Sequence, residues 1–124
     1  MGKTINAKYI PPADLSHTEW AWLAGILEGE GCFTIIGGYP RLVLKMTDED
    51  IVTRVANFFE AKVWHRLKAQ SHHKDQYHIQ VGKTKLLHHI VLNIWSYLGE
   101  RRRAAILKWY DLWDTKGYTF ERPK

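Results

Sequence analysis

The chain has 124 residues, inside the usual one-domain range of about 100–200, so a single core is expected and any large active site would be shared with a second copy. Apolar residues make up 45% and aromatic residues 13%, with six Trp, which excludes a disordered chain, and no stretch approaches the roughly 18 apolar residues of a membrane span. Eighteen Lys and Arg against thirteen Asp and Glu leave a net charge of +5, with seven His besides, so nucleic acid or another acidic surface is the expected partner and no membrane is. The lone Cys32 excludes an internal disulfide and a Cys-rich zinc module. The opening MGKTINAKYIPPADLS lacks the apolar run of a signal peptide, so a reducing compartment, cytoplasmic or organellar, is expected rather than secretion.

Residues 1–14 read as an N-terminal arm, because Pro11 and Pro12 forbid regular hydrogen bonding and nothing before them is periodic. Ser16 and Glu19 form a capping box, with Leu15 at the staple position, and a first helix runs from there towards Gly29. CFTII favours a strand, Gly37 and Gly38 permit a tight turn, and RLVLKMT from Arg41 to Thr47 alternates polar with apolar, so a hairpin follows. Asp48 offers an N-cap to a second helix that carries Ile51, Val52, Val55, Phe58 and Phe59. KVWHRLK and YHIQVG, split by SHHKDQ, make a second hairpin. A third helix holds Leu86, Leu87, Ile90, Val91, Ile94, Trp95 and Leu98, with Gly99 placed to stop it. The fourth runs from about Arg101 and holds Ile106, Leu107, Trp109, Tyr110 and Trp113, and residues 117–124 read as a loose tail. The domain proper is therefore 15–116. Its order, α-β-β-α-β-β-α-α, points to an α+β fold in which an antiparallel four-stranded sheet has helices on one face only.

With Leu42, Leu44 and Met46 as core positions, strand alternation turns Arg41, Val43, Lys45 and Thr47 outward. The third strand divides into Val63 and Leu67 on one side and Lys62, Trp64, Arg66 and Lys68 on the other. The fourth places Tyr77, Ile79 and Val81 inward and Gln76, His78 and Gln80 outward. Such side chains read base edges and phosphates, and a β-ribbon is narrow enough for the major groove. The same pattern also describes an ordinary wet sheet face whose Lys residues discourage edge aggregation. Thr34 and Ile36 of the first strand are assigned to the DNA-facing surface with these residues, and Trp64 is suited to a sugar or a thymine methyl.

LAGILEGEG, Leu23 to Gly31, carries the most chemistry. Leu23, Ile26 and Leu27 project on one side of the helix, and Ala21, Gly25 and Gly29 on another. An interior Gly costs roughly 1 kcal/mol relative to Ala, so Gly25 calls for a compensating contact, either close approach by another helix or packing against this chain's own core. Glu28 and Glu30 lie at the negative pole of the helix macrodipole, where a cation would relieve them. Carboxylate and carbonyl oxygens suit Mg²⁺, which usually takes one or two protein carboxylates. His72-His73 and His88-His89 read as polar contacts, since adjacent helical side chains diverge by about 100°.

WLAGILEGEGCF resembles the signature of the LAGLIDADG homing endonucleases, with Glu at both acidic places, and the element order from Ser16 to about Trp113 matches that family. The resemblance implies a homodimer joined through the first helix, at Ala21, Trp22, Gly25, Glu28 and Gly29. It implies that Glu30 and the Gly29 carbonyl bind Mg²⁺ or another divalent cation, and that the two sheets straddle the DNA major groove. Where the second strand enters the second helix the family often carries Gln or a Gln-Lys pair; this chain has Asp48 and Glu49 there, and Asp48 is the candidate for that catalytic position. The family's basic residue falls in LGERRRAAIL, on Arg101 or Arg102, which would stabilise charge on the phosphate because Arg is too basic to transfer a proton. The implied function is site-specific cleavage of both strands of a long, near-palindromic double-stranded DNA site, by an enzyme of intron or intein mobility with no small-molecule substrate. The alternative is a non-cleaving DNA-binding regulator or RNA-splicing maturase on the same scaffold.

Overall fold

The computed structural model describes residues 14–67 and 74–124. The arm up to residue 13, Lys68, and His72-His73 lie outside the described residues. Helix α1 spans His17–Glu30. At its start the Ser16 hydroxyl accepts the Glu19 amide at 3.1 Å and the Glu19 carboxylate accepts the Ser16 amide at 2.9 Å. These bonds hold the Glu19 carboxyl below its ordinary pKa. The chain leaves α1 without a loop, because Gly31 both caps the helix and begins strand β1, Gly31–Ile36. A Cβ at Gly31 would stand 2.6 Å from the Leu27 carbonyl oxygen, so only glycine makes this exit.

Gly37 and Gly38, with φ of 59° and 82°, form the two-residue turn into β2, Tyr39–Met46. That turn lets pairing begin at Ile36 and Tyr39, two residues before the expected strand start. Helix α2, Glu49–Phe59, follows. Asp48 occupies its N-cap position but makes no side-chain cap bond, contrary to expectation; Glu49 and Asp50 in the first turn complement the helix dipole. Strand β3, Trp64–Arg66, is shorter than KVWHRLK suggested, and β4 is Gln76–Val81. Helix α3, Thr84–Ile94, runs into a 3₁₀ turn over Trp95–Tyr97, and α4 spans Glu100–Thr115. Gly99 does not stop α3. It is the extended N-cap of α4.

The strands form one antiparallel sheet in the order β1-β2-β4-β3. Its inner face sets Phe33, Leu42, Leu44, Ile79 and Val81 under the helices, with Trp109, Tyr110 and Trp113 of α4 among the fully buried side chains. The Trp109 indole N–H donates to the Thr34 carbonyl at 2.8 Å and so ties α4 to β1. Val63 and Tyr77 are partly buried against this core, but Leu67 is 72% exposed: with β3 ending at Arg66, the expected alternation has no strand left to act on. The last residues are not a loose tail. Phe120 is buried, stacked on His88 at 4.4 Å and edge-on to Trp113 at 5.3 Å, and Arg122 reaches Asp111 and Asp114 at 2.9 and 2.6 Å.

Candidate nucleic-acid interface

Helix α1 presents two faces. Trp20, Leu23, Ala24 and Leu27 are buried beneath it, with Ile26 partly so, whereas Gly25, Gly29 and Glu30 are exposed. Among the described residues, a Cβ added at Gly25 or Gly29 would meet nothing within 4 Å, so packing against the described core does not account for either glycine. Beside them Ala21 and Trp22 are half-buried; Trp22 lies edge-on to Phe58 at 6.1 Å under the Arg54 guanidinium, 4.0 Å from its ring centroid.

At the end of α1 the two glutamates part. Glu30 is exposed, while Glu28 is half-buried and held by its own chain. Its carboxylate accepts the Gly99 amide at the start of α4. The Arg102 Nε donates to the Glu28 carbonyl at 3.1 Å and lies 3.4 Å from its carboxylate. A guanidinium at the negative pole of α1 offsets the charge that the two glutamates concentrate there. Arg102 is thus engaged, and its neighbour Arg101 is exposed. Nothing in the sequence pattern alone joined Glu28 to Gly99 and Arg102, which are more than seventy positions away.

On the outer sheet face the register aligns the candidate DNA-contacting residues in rows. Thr34 lies opposite Arg41, and Cys32, Val43 and Gln80 form the next row; Lys45, His78 and Trp64 form another, and Arg66 pairs with Gln76. Lys45, Gln80, Trp64 and Arg66 are exposed, whereas Thr34, Arg41, Val43, Gln76 and His78 are half-buried; Ile36 is exposed at the hairpin tip and Thr47 just beyond β2. Arg41 does not stand free: it donates to the Pro40 carbonyl at 2.7 Å, and its guanidinium lies over Gly82, where a Cβ would come within 2.8 Å of it. Lys62, just before β3, lays its ammonium 3.9 Å from the Trp64 ring centroid.

The remaining candidates lie apart. Asp48 is exposed at the start of α2. His88 Nδ1 and the Tyr110 hydroxyl are 2.7 Å apart, and His89 packs edge-on to Trp20 at 5.6 Å, so both histidines are polar contacts at the edge of the core. Burial pushes both below the usual His pKa. Among the described residues no group of three His, Cys, Asp or Glu side chains could hold a metal, and no helix is long and apolar enough to cross a membrane.

This order of helices and strands, with α1 leading directly into one antiparallel sheet, is similar as a fold to a set of solved structures. The chain has the homing endonuclease fold. The homing endonuclease I-CvuI, solved with its DNA target in the presence of calcium, is similar at a TM-score of 0.55 and 17% identity over 77% of this chain and 66% of that one. A second I-CvuI complex, in which DNA was not cleaved in the presence of magnesium, gives 0.54 and 18% over the same shares. The archaeal intron-encoded homing endonuclease I-Vdi141I, solved with DNA, gives 0.54 and 10% over 86% of this chain and 88% of that one. The chain thus spans just under two thirds of the I-CvuI chains. No family model and no curated protein matches its sequence.

Proposed function

We propose that two copies of this chain, joined through α1, form a Mg²⁺-dependent endonuclease that cuts both strands of a long, near-palindromic DNA site. The observation that carries this reading is the exposed carboxylate of Glu30 at the end of a helix face left open at Gly25 and Gly29, on a homing endonuclease fold. The donor set suits the metal. A single chain offers one exposed carboxylate beside the carbonyls of a helix end, all oxygen ligands, and a second copy across a two-fold axis would bring the other. Bound there, the cation would activate water and stabilise charge on the scissile phosphate.

The chain's own residues have separate roles in this reading. The outer sheet face binds the DNA major groove through Thr34, Arg41, Lys45, Arg66, Gln76, His78 and Gln80. Arg101, exposed at the start of α4, balances phosphate charge, and Arg102 steadies the end of α1 through Glu28. Asp48 is a candidate to orient water. Glu30→Gln keeps the shape of the side chain and removes its charge, so cleavage should fall by at least about a thousandfold while DNA binding without metal persists. Cleavage at the wild-type rate would remove Glu30 from the site. Gly25→Leu places a bulky side chain on the open face and should turn a dimer into a monomer in sedimentation; an unchanged dimer would place the interface elsewhere.

A further inference from the structure

We propose that His78 is a fixed hydrogen-bond donor that selects against cytosine at one position of each DNA half-site, with Trp64 as the plate that holds its ring. The inference rests on the outer sheet face being the DNA-binding surface. His78 sits at the centre of the row Lys45, His78, Trp64, across β2, β4 and β3. Its ring is nearly parallel to the Trp64 indole, 15° off at a centroid separation of 6.3 Å. The indole is in turn covered by the Lys62 ammonium, 3.9 Å from its centroid. Trp64 thus stands on one side of the His78 ring.

The decisive feature is at Nδ1, which is buried and makes no hydrogen bond to any described residue. A neutral imidazole carries one proton, and placing it on Nδ1 would bury an N–H with no acceptor, the rarer and costlier kind of orphan. The proton therefore belongs on Nε2, the other ring nitrogen, and the half-buried ring offers the groove a donor and no acceptor. Guanine presents O6 and N7 in the major groove, adenine N7 and thymine O4, whereas cytosine presents only the N4 donor. A fixed donor tolerates three bases and meets the fourth donor to donor. Lys45, next in the row, adds charge that holds the backbone and does not choose among bases.

The experiment has two arms. Nitrogen-15 NMR of the imidazole in the free protein, in mildly alkaline solution, should show Nε2 protonated and Nδ1 bare; a protonated Nδ1 overturns the inference. Selection of bound sites from a random duplex library at fixed salt should show one position per half-site depleted of cytosine on one strand. His78→Ala should relax that position by about fivefold. His78→Asp, an acceptor, should turn the preference towards cytosine. Trp64→Ala should relax it in part with His78 still present. Thermal melts check that each variant remains folded, since none of these side chains is in the core. If His78→Ala weakens every sequence equally, His78 holds phosphate and the inference fails while the DNA-binding reading stands. If the wild-type chain selects no site at all, that reading fails and takes the inference with it.

Discussion

The two hairpins of the sheet have the same topology and opposite mechanical characters. In the first, β1 and β2 align six residue pairs around a two-glycine turn, and β2 also pairs with β4, so Leu42 and Leu44 lie at the centre of the sheet and are buried. In the second, β3 contributes three pairs at the sheet edge and all three of its residues are exposed. The first hairpin is fixed from below by the core and at its start by the Gly31 junction with α1. Among the described residues of the second, β4 makes the pairing with β2, and Val63 beside β3 is partly buried against the core. On the proposed reading of the outer face as DNA-binding, a three-pair edge strand would adjust to the groove more readily than the central ribbon, without disturbing the helix that carries Glu30.

The largest expected effect tests that contrast in stability. Leu44→Ala removes core volume between β1 and β4 and should cost about 2–5 kcal/mol in chemical denaturation. Leu67→Ala, just past the end of β3 and 72% exposed, should stay within about 0.5 kcal/mol. Comparable losses would mean that the second hairpin is as deeply built into the core as the first.

These differences also mark what was legible in the sequence. Period-two alternation assigned the faces of β2 and β4 because one face of each is buried, and a wrong register would have exposed Leu42, Leu44, Ile79 and Val81 together. It failed at Leu67 because alternation carries no information about where pairing ends. The capping box at Ser16 and the glycine turn were readable because each is satisfied locally. The pairing of β2 with β4, the Glu28 contacts to Gly99 and Arg102, and the burial of Phe120 against His88 and Trp113 join residues far apart, and no local pattern announces them. For the site, helical projection grouped Ala21, Gly25 and Gly29 on a face of their own but did not say what meets that face, nor did it divide an exposed Glu30 from an engaged Glu28.

A smaller effect sharpens the contrast at the backbone. The first hairpin turns on glycines, and Gly38 at φ 82° should lose about 1 kcal/mol on replacement by Ala, since a Cβ is disfavoured there even though nothing stands in its way. The chain enters the second hairpin through Glu60, a non-glycine residue at φ 51° that ends α2. Glu60→Gly should therefore gain up to about 1 kcal/mol, because the left-handed conformation that strains Glu costs Gly nothing. Opposite signs at Gly38 and Glu60 in thermal melts would confirm that the two approaches were built differently; a loss at both would show that Glu60 is held by contacts that outweigh its strain.

The smallest effect on the protein itself concerns what the edge does for DNA. Arg66 is exposed on β3, whereas Arg41 on β2 spends a donor on the Pro40 carbonyl and lies against Gly82. Arg66→Ala should leave stability within about 0.5 kcal/mol, since it removes no buried contact. If Arg66 meets a phosphate in each subunit, two contacts vanish from a dimer, and the slope of log affinity against log salt should flatten by roughly 2. The change should be alike for every sequence tested, because a phosphate contact positions the duplex and does not read it. Arg41→Ala should act differently: freeing the space over Gly82 changes a contact within the sheet, so some loss of stability should accompany any loss of binding. An Arg66→Ala variant with an unaltered salt slope would take the second hairpin off the DNA backbone and leave the central ribbon to bind alone.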